Sequence, residues 1–435
     1  MEEQGDRGTF AFDESHALYG PIRAMVEDQF REARTEPSLR VHPGDEMFLH
    51  SIAALSPPEF GTMAYFRAGL QILDALRQAA GWHQRPLASL DRVLDFAAGY
   101  GRSSRFLAAL LAPERVWTAE ILPDAVAFQR AEFGVNSIQS SKDPAEFRCD
   151  ERFDLIFVSS LFSHLPERTW GTWLERLHGL LAPSGILAFS VHDEALVPPS
   201  HHLPDGGLLF LPENEADSWD VAEYGTTFVS EAFVSRVVEQ RLAGDGFVRL
   251  PKSLCFSQDL YIVGNSGRLD RDRRFWRGPY GQVAEVDLVE VQKRRYRATG
   301  WAIDMDGAPS PEVLVKVGKK KYAQVPSTLD RPDSIKKFQV PVGLHPKGWT
   351  ASFRLPARAV RPTAALTVAA RSPGSGQEFV LDLVPLSDRL ATPPTPKQSG
   401  PVHLVRTALQ VQRKSGWAKT AKLARQRWSR PAVRK

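Results

Sequence analysis

The run Val93-Leu-Asp-Phe-Ala-Ala-Gly-Tyr-Gly-Arg102 joins an apolar strand to a glycine-bearing turn and then to a helical pattern through Leu111. Glycines in such a turn let the backbone approach a ligand at the amino end of a helix. Two residue choices narrow which ligand. A dinucleotide fingerprint needs its third glycine where Arg102 stands, because that glycine permits close helix–strand packing. Asp95 ends the strand just ahead of the turn, where a carboxylate repels a pyrophosphate but attracts an ammonium. Hydride chemistry on a nicotinamide cofactor is disfavoured on both counts. Glu120 ends the next apolar strand, at the place where an acid accepts hydrogen bonds from two ribose hydroxyls.

Two further segments carry chemistry. Phe153-Asp-Leu-Ile-Phe-Val-Ser-Ser-Leu-Phe-Ser-His-Leu-Pro166 is a buried strand running into a polar turn that contains His164. Leu180-Leu-Ala-Pro-Ser-Gly-Ile-Leu-Ala-Phe-Ser-Val-His192 is a helix end, a Pro/Gly turn and a strand that stops at His192, followed by Asp193. An imidazole titrates near working pH, so His164 or His192 can take a proton from a hydroxyl. His164 can equally pack beneath its own turn. The stretch Glu194–Phe228, with Glu223 and Tyr224, is long for a connection and reads as a lid over the substrate, to which Asp193 leads. His201-His202 lacks a third ligand at convincing spacing, so no metal site is expected.

The elements that must position these residues alternate. Strands are expected at Arg92–Phe96, Val116–Ile121, Val135–Gln139, Phe153–Ser159 and Gly185–His192, with helices starting near Ser103, Pro123, Arg168 and Ser230. Phe247–Phe256 and Asp259–Val263 are too close for a crossover and pair antiparallel. The expectation is an α/β Rossmann-like sheet of seven strands whose last hairpin is antiparallel. Before it, residues 1–90 form a helical cap, clearest where Met63, Phe66, Leu70, Ile72, Leu73 and Leu76 share a helical face.

In order and spacing, these segments resemble the successive motifs of class I S-adenosylmethionine-dependent methyltransferases, over about residues 60–264. The resemblance implies S-adenosyl-L-methionine as cofactor. Asp95, Phe96, Ala97, Gly99 and Gly101 would line its methionine part, Glu120 would hold the ribose, and Ile121 would lie against adenine. Ser140 and Ser141, where the family commonly has an acid, would lie near the adenine amine, and Ser159, Ser160 and Leu161 would flank the transferable methyl. Tyr65 and Arg67 on the preceding helix can reach the cofactor carboxylate, and Tyr65 can equally serve packing. Ala97 stands where the family has its first glycine, which is tolerable if its φ stays negative. A narrower resemblance rests on Ser160-Leu-Phe-Ser-His-Leu-Pro166 and Gln258-Asp-Leu-Tyr-Ile-Val263. Methyltransferases of that subgroup occur with glycosyltransferases in bacterial polysaccharide or specialised-metabolite clusters. It implies O-methylation of a sugar, glycan or small-metabolite hydroxyl, with a glycosyltransferase as partner. A non-catalytic cofactor-binding adaptor is the competing expectation.

The 435 residues call for two or three domains. Residues 91–265 are the methyltransferase-like domain, 266–280 a charged linker, and 281–390 an all-β, sandwich-like domain. In the last, Trp301 and Trp349 read as core rather than as sugar-stacking surfaces. Residues 391–435 are a Pro-rich spacer and a basic tail. From Lys397 to Lys435 there are 11 Lys or Arg and no acid, so with the whole chain at +4 the remainder carries −7. Trp417, Ala421, Ala424 and Trp428 give the tail two readings, a helix lying on an anionic membrane or a solubilising extension. No recognition motif supports nucleic acid as a partner. Cys149 and Cys255 are too few for a disulfide framework or a zinc cluster, and no secretory leader or long apolar run is evident, so a cytoplasmic protein is expected, peripheral to the inner membrane surface if the tail binds lipid.

Overall fold

The computed structural model describes residues 10–385 except 17, 31–32, 55–57, 83–84, 213–221, 243–244, 255–257, 266–280, 286–293, 305–309, 334, 336–344, 361–364, 375 and 377. The expected linker and the spacer with its basic tail lie outside the described residues, as does Cys255.

Three helices, α1 (Tyr19–Gln29), α2 (Glu46–Ala54) and α3 (Pro58–Trp82), precede a sheet built by alternation. Its elements are β1 (Val93–Phe96), α4 (Ser104–Leu111), β2 (Val116–Glu120), α5 (Pro123–Phe133), β3 (Asn136–Gln139), β4 (Phe153–Val158), α6 (Glu167–His178) and β5 (Leu181–Asp193). The spatial order β3-β2-β1-β4-β5 is parallel throughout. β1 is buried at every position, as a central parallel strand covered on both faces must be.

After β5 come β6 (Leu208–Leu211), β7 (Thr226–Val229), α7 (Glu231–Arg241), β8 (Asp245–Leu254) and β9 (Gln258–Asn265). β9 pairs antiparallel with β5 over Ile186–Val191, and β8 pairs antiparallel with β9, giving the expected terminal hairpin. The sheet counts nine strands rather than seven. The last two residues of β5, His192 and Asp193, extend past β9 and pair with β7, which carries β6 as an antiparallel partner. The segment read as a lid therefore has a backbone ladder of its own on the tip of β5.

The helical cap has no separate core. Its Phe12, Leu18, Ile22, Phe48, Phe66 and Leu73 are continuous with Phe106 and Leu107 of α4 and with Ile186, Ala188, Leu260 and Ile262 on one face of the sheet. The other face packs against α6 and α7 through Trp170, Trp173, Leu174, Phe233 and Val234. Arg105, itself buried, pins the cap to the glycine turn by donating to the carbonyls of Ser38, Arg40 and Gly101.

The C-terminal module has two four-stranded antiparallel sheets. One joins β10 (Gly281–Glu285), β11 (Arg295–Ala302), β15 (Lys347–Arg354) and β14 (Leu329–Asp330). The other joins β13 (Lys320–Pro326), β12 (Glu312–Val317), β16 (Ala365–Arg371) and β17 (Glu378–Pro385). Val313, Val315, Trp349, Phe353, Leu366 and Val368 share its core. Trp301 and Trp349 are both buried, as expected of core residues. Among the described residues, no helix is long and apolar enough to cross a membrane.

Candidate active site

A cavity of about 280 Å³ opens at the carboxyl edge of the parallel strands. Four strand ends supply its walls: Asp95–Tyr100 and Arg102 after β1, Glu120–Leu122 after β2, Ser140–Lys142 after β3, and Ser159–Leu161 with His164 after β4. The cap contributes Asp45, Glu46 and Met47, and the approach to β7 contributes Glu223, Tyr224 and Gly225. In a doubly wound sheet this edge, at the reversal of strand order, is where ligands bind.

Asp95 is at its centre. Its Oδ2 accepts from the hydroxyls of Ser103 and Ser104, both at 2.7 Å, at the start of α4. Its Oδ1 is buried and has no hydrogen-bond partner. Burial pushes the carboxyl up to about 6, against the opposing pull of the two hydroxyls and Arg102. An orphaned carboxylate oxygen facing a cavity is costly unless a donor comes to it.

Glu120 is anchored from behind. Its Oε2 accepts from the backbone N–H of Gly99 at 2.7 Å, and its Oε1 from those of Ile121 (2.7 Å) and Leu122 (3.2 Å). Burial raises its pKa, and these three donors hold it back. Gly99 adopts φ +57°, and a side chain added there would meet nothing within 4 Å, so the space above it is open to a ligand.

Ala97 corrects one expectation. Its φ is +57°, in the left-handed region, rather than negative. The turn keeps the shape that a glycine would take without strain and imposes it on an alanine, at a cost of about 1–2 kcal/mol. Gly101 is a second correction, since it is not among the lining residues. At φ +78°, its missing side chain makes room for Phe133 of α5, which a Cβ would approach to 2.4 Å. It holds the turn against a helix, and of the two glycines Gly99 lines the cavity.

Tyr65 and Arg67 are not at the cavity either. Tyr65 is fully buried and donates to Asp45 Oδ2 at 2.5 Å. Burial raises its phenol further. Arg67 donates to the carbonyl of Leu381 on β17, a contact between cap and β-module. Tyr65 faces the core with Phe66, while Arg67, half-buried, points to the β-module.

Of the two histidines, only His164 lines the cavity. Its Nδ1 is 2.7 Å from the carbonyl oxygen of Gly225, so Nδ1 carries the proton in the neutral ring and Nε2 keeps its lone pair. Gly225 returns a bond from its N–H to the His164 carbonyl at 3.0 Å. Tyr224 stacks on the imidazole at 4.7 Å between centroids, and burial lowers the pKa. His192 stands behind it, with ring centroids 6.1 Å apart. Its Nε2 faces the amide nitrogen of Gln258 at 3.2 Å, which takes up the lone pair that a base would use. Asp193 is likewise off the cavity, buried and 3.7 Å from Arg249.

Gln258 is the residue that local sequence reasoning misses. Ser160 sits at φ +62°, strained for a serine, and its N–H donates to Ser190 at 2.9 Å. The Ser190 hydroxyl donates to Gln258 Oε1 at 2.6 Å, and the Gln258 amide donates to the Ser160 hydroxyl at 3.0 Å. Three strands thus lock the β4 turn beside the cavity. Asp45, Glu46, Arg102 and Lys142 are further lining residues that spacing alone did not single out.

Residues 94–187 match the family model described as Methyltransferase domain. Over that stretch the chain is similar to a methyltransferase domain. S-adenosylmethionine, the cofactor expected from the sequence, fits that domain and the orphaned Asp95 oxygen. A trans-aconitate 2-methyltransferase of Methylobacterium radiotolerans is 30% identical over 118 residues, which are 27% of this chain and 44% of that protein. The chain thus spans less than half the length of this curated relative. Among solved structures, the glycopeptide N-methyltransferase MtfA complexed with S-adenosyl-L-methionine is 19% identical, covering 43% of this chain and 92% of that one at a TM-score of 0.33. The 1,6-didemethyltoxoflavin-N1-methyltransferase of Burkholderia thailandensis is 21% identical, covering 46% and 76% at a TM-score of 0.32.

Proposed function

We propose that the chain is an S-adenosylmethionine-dependent O-methyltransferase whose acceptor is an uncharged sugar, glycan or small-metabolite hydroxyl. The observation that carries this reading is the unpartnered Asp95 Oδ1 in a cavity whose next wall is Gly99 with open space above it. A buried carboxylate oxygen matches the ammonium of a methionine-type ligand. Glu120 would hold the ribose with the lone pairs its backbone donors leave free, while Ile121, Leu122, Ser140 and Ser141 would form the adenine wall. The bound cofactor supplies a methyl group made electrophilic by its sulfonium.

The chain's own contribution is positioning and one proton transfer. His164 presents an unprotonated Nε2 because Gly225 fixes the proton on Nδ1, and it would take the proton from the acceptor hydroxyl. Stacking on Tyr224 and the locked Ser160 turn hold the imaginable motions of that ring small. The relative's trans-aconitate is a polycarboxylate. This cavity presents Asp45, Glu46, Asp95, Glu120 and Glu223 against only Arg102 and Lys142, which favours an uncharged acceptor over an anionic one. A glycan acceptor would also place the protein beside glycosyltransferases.

The test is label transfer from methyl-labelled S-adenosylmethionine to fractionated glycans and metabolites. Label in alkali-stable methyl ethers supports the reading. Alkali-labile methyl esters, or methylated amines, would refute hydroxyl transfer, and failure to bind the cofactor would remove the methyltransferase reading altogether.

A further inference from the structure

Before it reaches β5, the chain entering β7 runs beside the turn that carries His164. Thr227 donates its N–H to the Ser163 carbonyl at 2.7 Å and its hydroxyl to the Leu165 carbonyl at 2.6 Å. One threonine thus grips the residues on either side of His164. Two positions earlier, Gly225 exchanges bonds with His164 itself, N–H to carbonyl and carbonyl to Nδ1. Thr227 is buried and does not line the cavity. Valine would fill the same space, so the bond to Leu165 is what the hydroxyl adds; a buried hydroxyl without an acceptor is costly. The Ser163 hydroxyl donates in turn to the Ser160 carbonyl at 2.8 Å, so the staple reaches the strained serine of the same turn.

We infer that Thr227 is a positioning residue for His164: it staples β7 to the turn and so holds the Gly225 carbonyl on Nδ1, which leaves Nε2 free to accept. The inference rests on the reading of His164 as the proton acceptor. In a neutral imidazole, the partner of one nitrogen decides which nitrogen carries the proton. Were β7 to drift from the turn, Nδ1 would lose its acceptor. The proton would then be free to pass to Nε2, where the ring can no longer take one from a hydroxyl. The Gly225 bond also raises the His164 pKa against the burial that lowers it. Tyr224 and His192 are the titratable side chains whose rings pack against the imidazole. The segment read from the sequence as a lid thereby sets the state of the base as well.

Proton–nitrogen correlation spectra of the full chain, isotopically labelled at the histidine ring nitrogens, report tautomer and pKa directly and need no acceptor. Wild type, Thr227→Val and Thr227→Ser are compared, with His164→Gln assigning the resonances. Wild type should carry the proton of the neutral ring on Nδ1. Thr227→Val should shift the tautomer ratio towards Nε2–H by about two- to tenfold, the range for one neutral hydrogen bond. It should also lower the His164 pKa. Thr227→Ser keeps the hydroxyl and should match wild type. An unchanged tautomer and pKa in Thr227→Val would overturn the inference, as would the same shift in Thr227→Ser. In wild type alone, hydrogen exchange should find the Gly225 and Thr227 amides as protected as those of the β6–β7 ladder. Fast exchange at Thr227 would overturn the staple whether or not the variants fold. A wild-type ring protonated on Nε2 would instead remove the reading of His164 as a base.

Discussion

Replacing Asp95 with asparagine should make the empty protein more stable while removing its cofactor. Folding lifts the Asp95 carboxyl from an ordinary 3.8 to about 6, chiefly by burial. An acid whose pKa is higher folded than unfolded contributes stability that is fully present below 3.8 and lost as pH rises through about 6. At 1.36 kcal/mol per pH unit, the ionised group weakens the fold by about 3 kcal/mol at pH 8. Asparagine carries no charge, and its amide oxygen can still accept from Ser103 and Ser104. Asp95→Asn should therefore unfold at higher temperature than wild type at pH 8, by about 2–4 °C for each kcal/mol in a domain of this size. The advantage should shrink steadily below pH 6 and vanish near pH 4. Melting curves of both proteins without ligand from pH 4 to 8, with cofactor titration alongside, give the answer. A variant less stable than wild type at pH 8 would show that Ser103 and Ser104 stabilise the charge more than burial penalises it. Unchanged cofactor affinity would show that the ammonium does not sit at Asp95.

Ala97→Gly should relieve the strain of φ +57° and raise stability by about 0.5–1 kcal/mol after the entropy that glycine loses on folding, as denaturant unfolding would reveal. His164→Gln should lower methyl transfer by about 10²- to 10⁴-fold with cofactor affinity unchanged. Because burial lowers the His164 pKa, wild-type activity should persist as pH falls below 6.5 and drop only as the ring finally protonates; a pH–rate profile for kcat shows this. Tyr65→Phe leaves Asp45 Oδ2 buried without its donor and should cost about 1–3 kcal/mol in stability, read by thermal melting, with cofactor affinity within twofold.

The strand-end part of the cavity was legible because its signals are local. Asp95 before the turn, Glu120 after the second strand and Ser159–Leu161 after the fourth each end a strand whose edge the topology fixes, and all line the cavity. What could not be read were torsions and long-range partners. Ala97 is left-handed, and no pattern of apolar residues encodes that sign. Tyr65, polar on a helix near the site, suits either a ligand or packing by sequence alone, and its hydroxyl meets Asp45, twenty positions earlier. His192 looked available for the same kind of reason, and Gln258, 66 positions later, occupies it. The two missed strands of the sheet, β6 and β7, are four residues each, too short for periodicity to reveal.

β5 reaches two residues beyond its antiparallel neighbour, and that overhang is the seat of the β6–β7 ladder. Among the described residues, the chain that leaves β5 at Glu194 rejoins the cavity at Glu223. Gly225 stands immediately before β7, so the ladder on the tip of β5 also holds in place the carbonyl that meets His164.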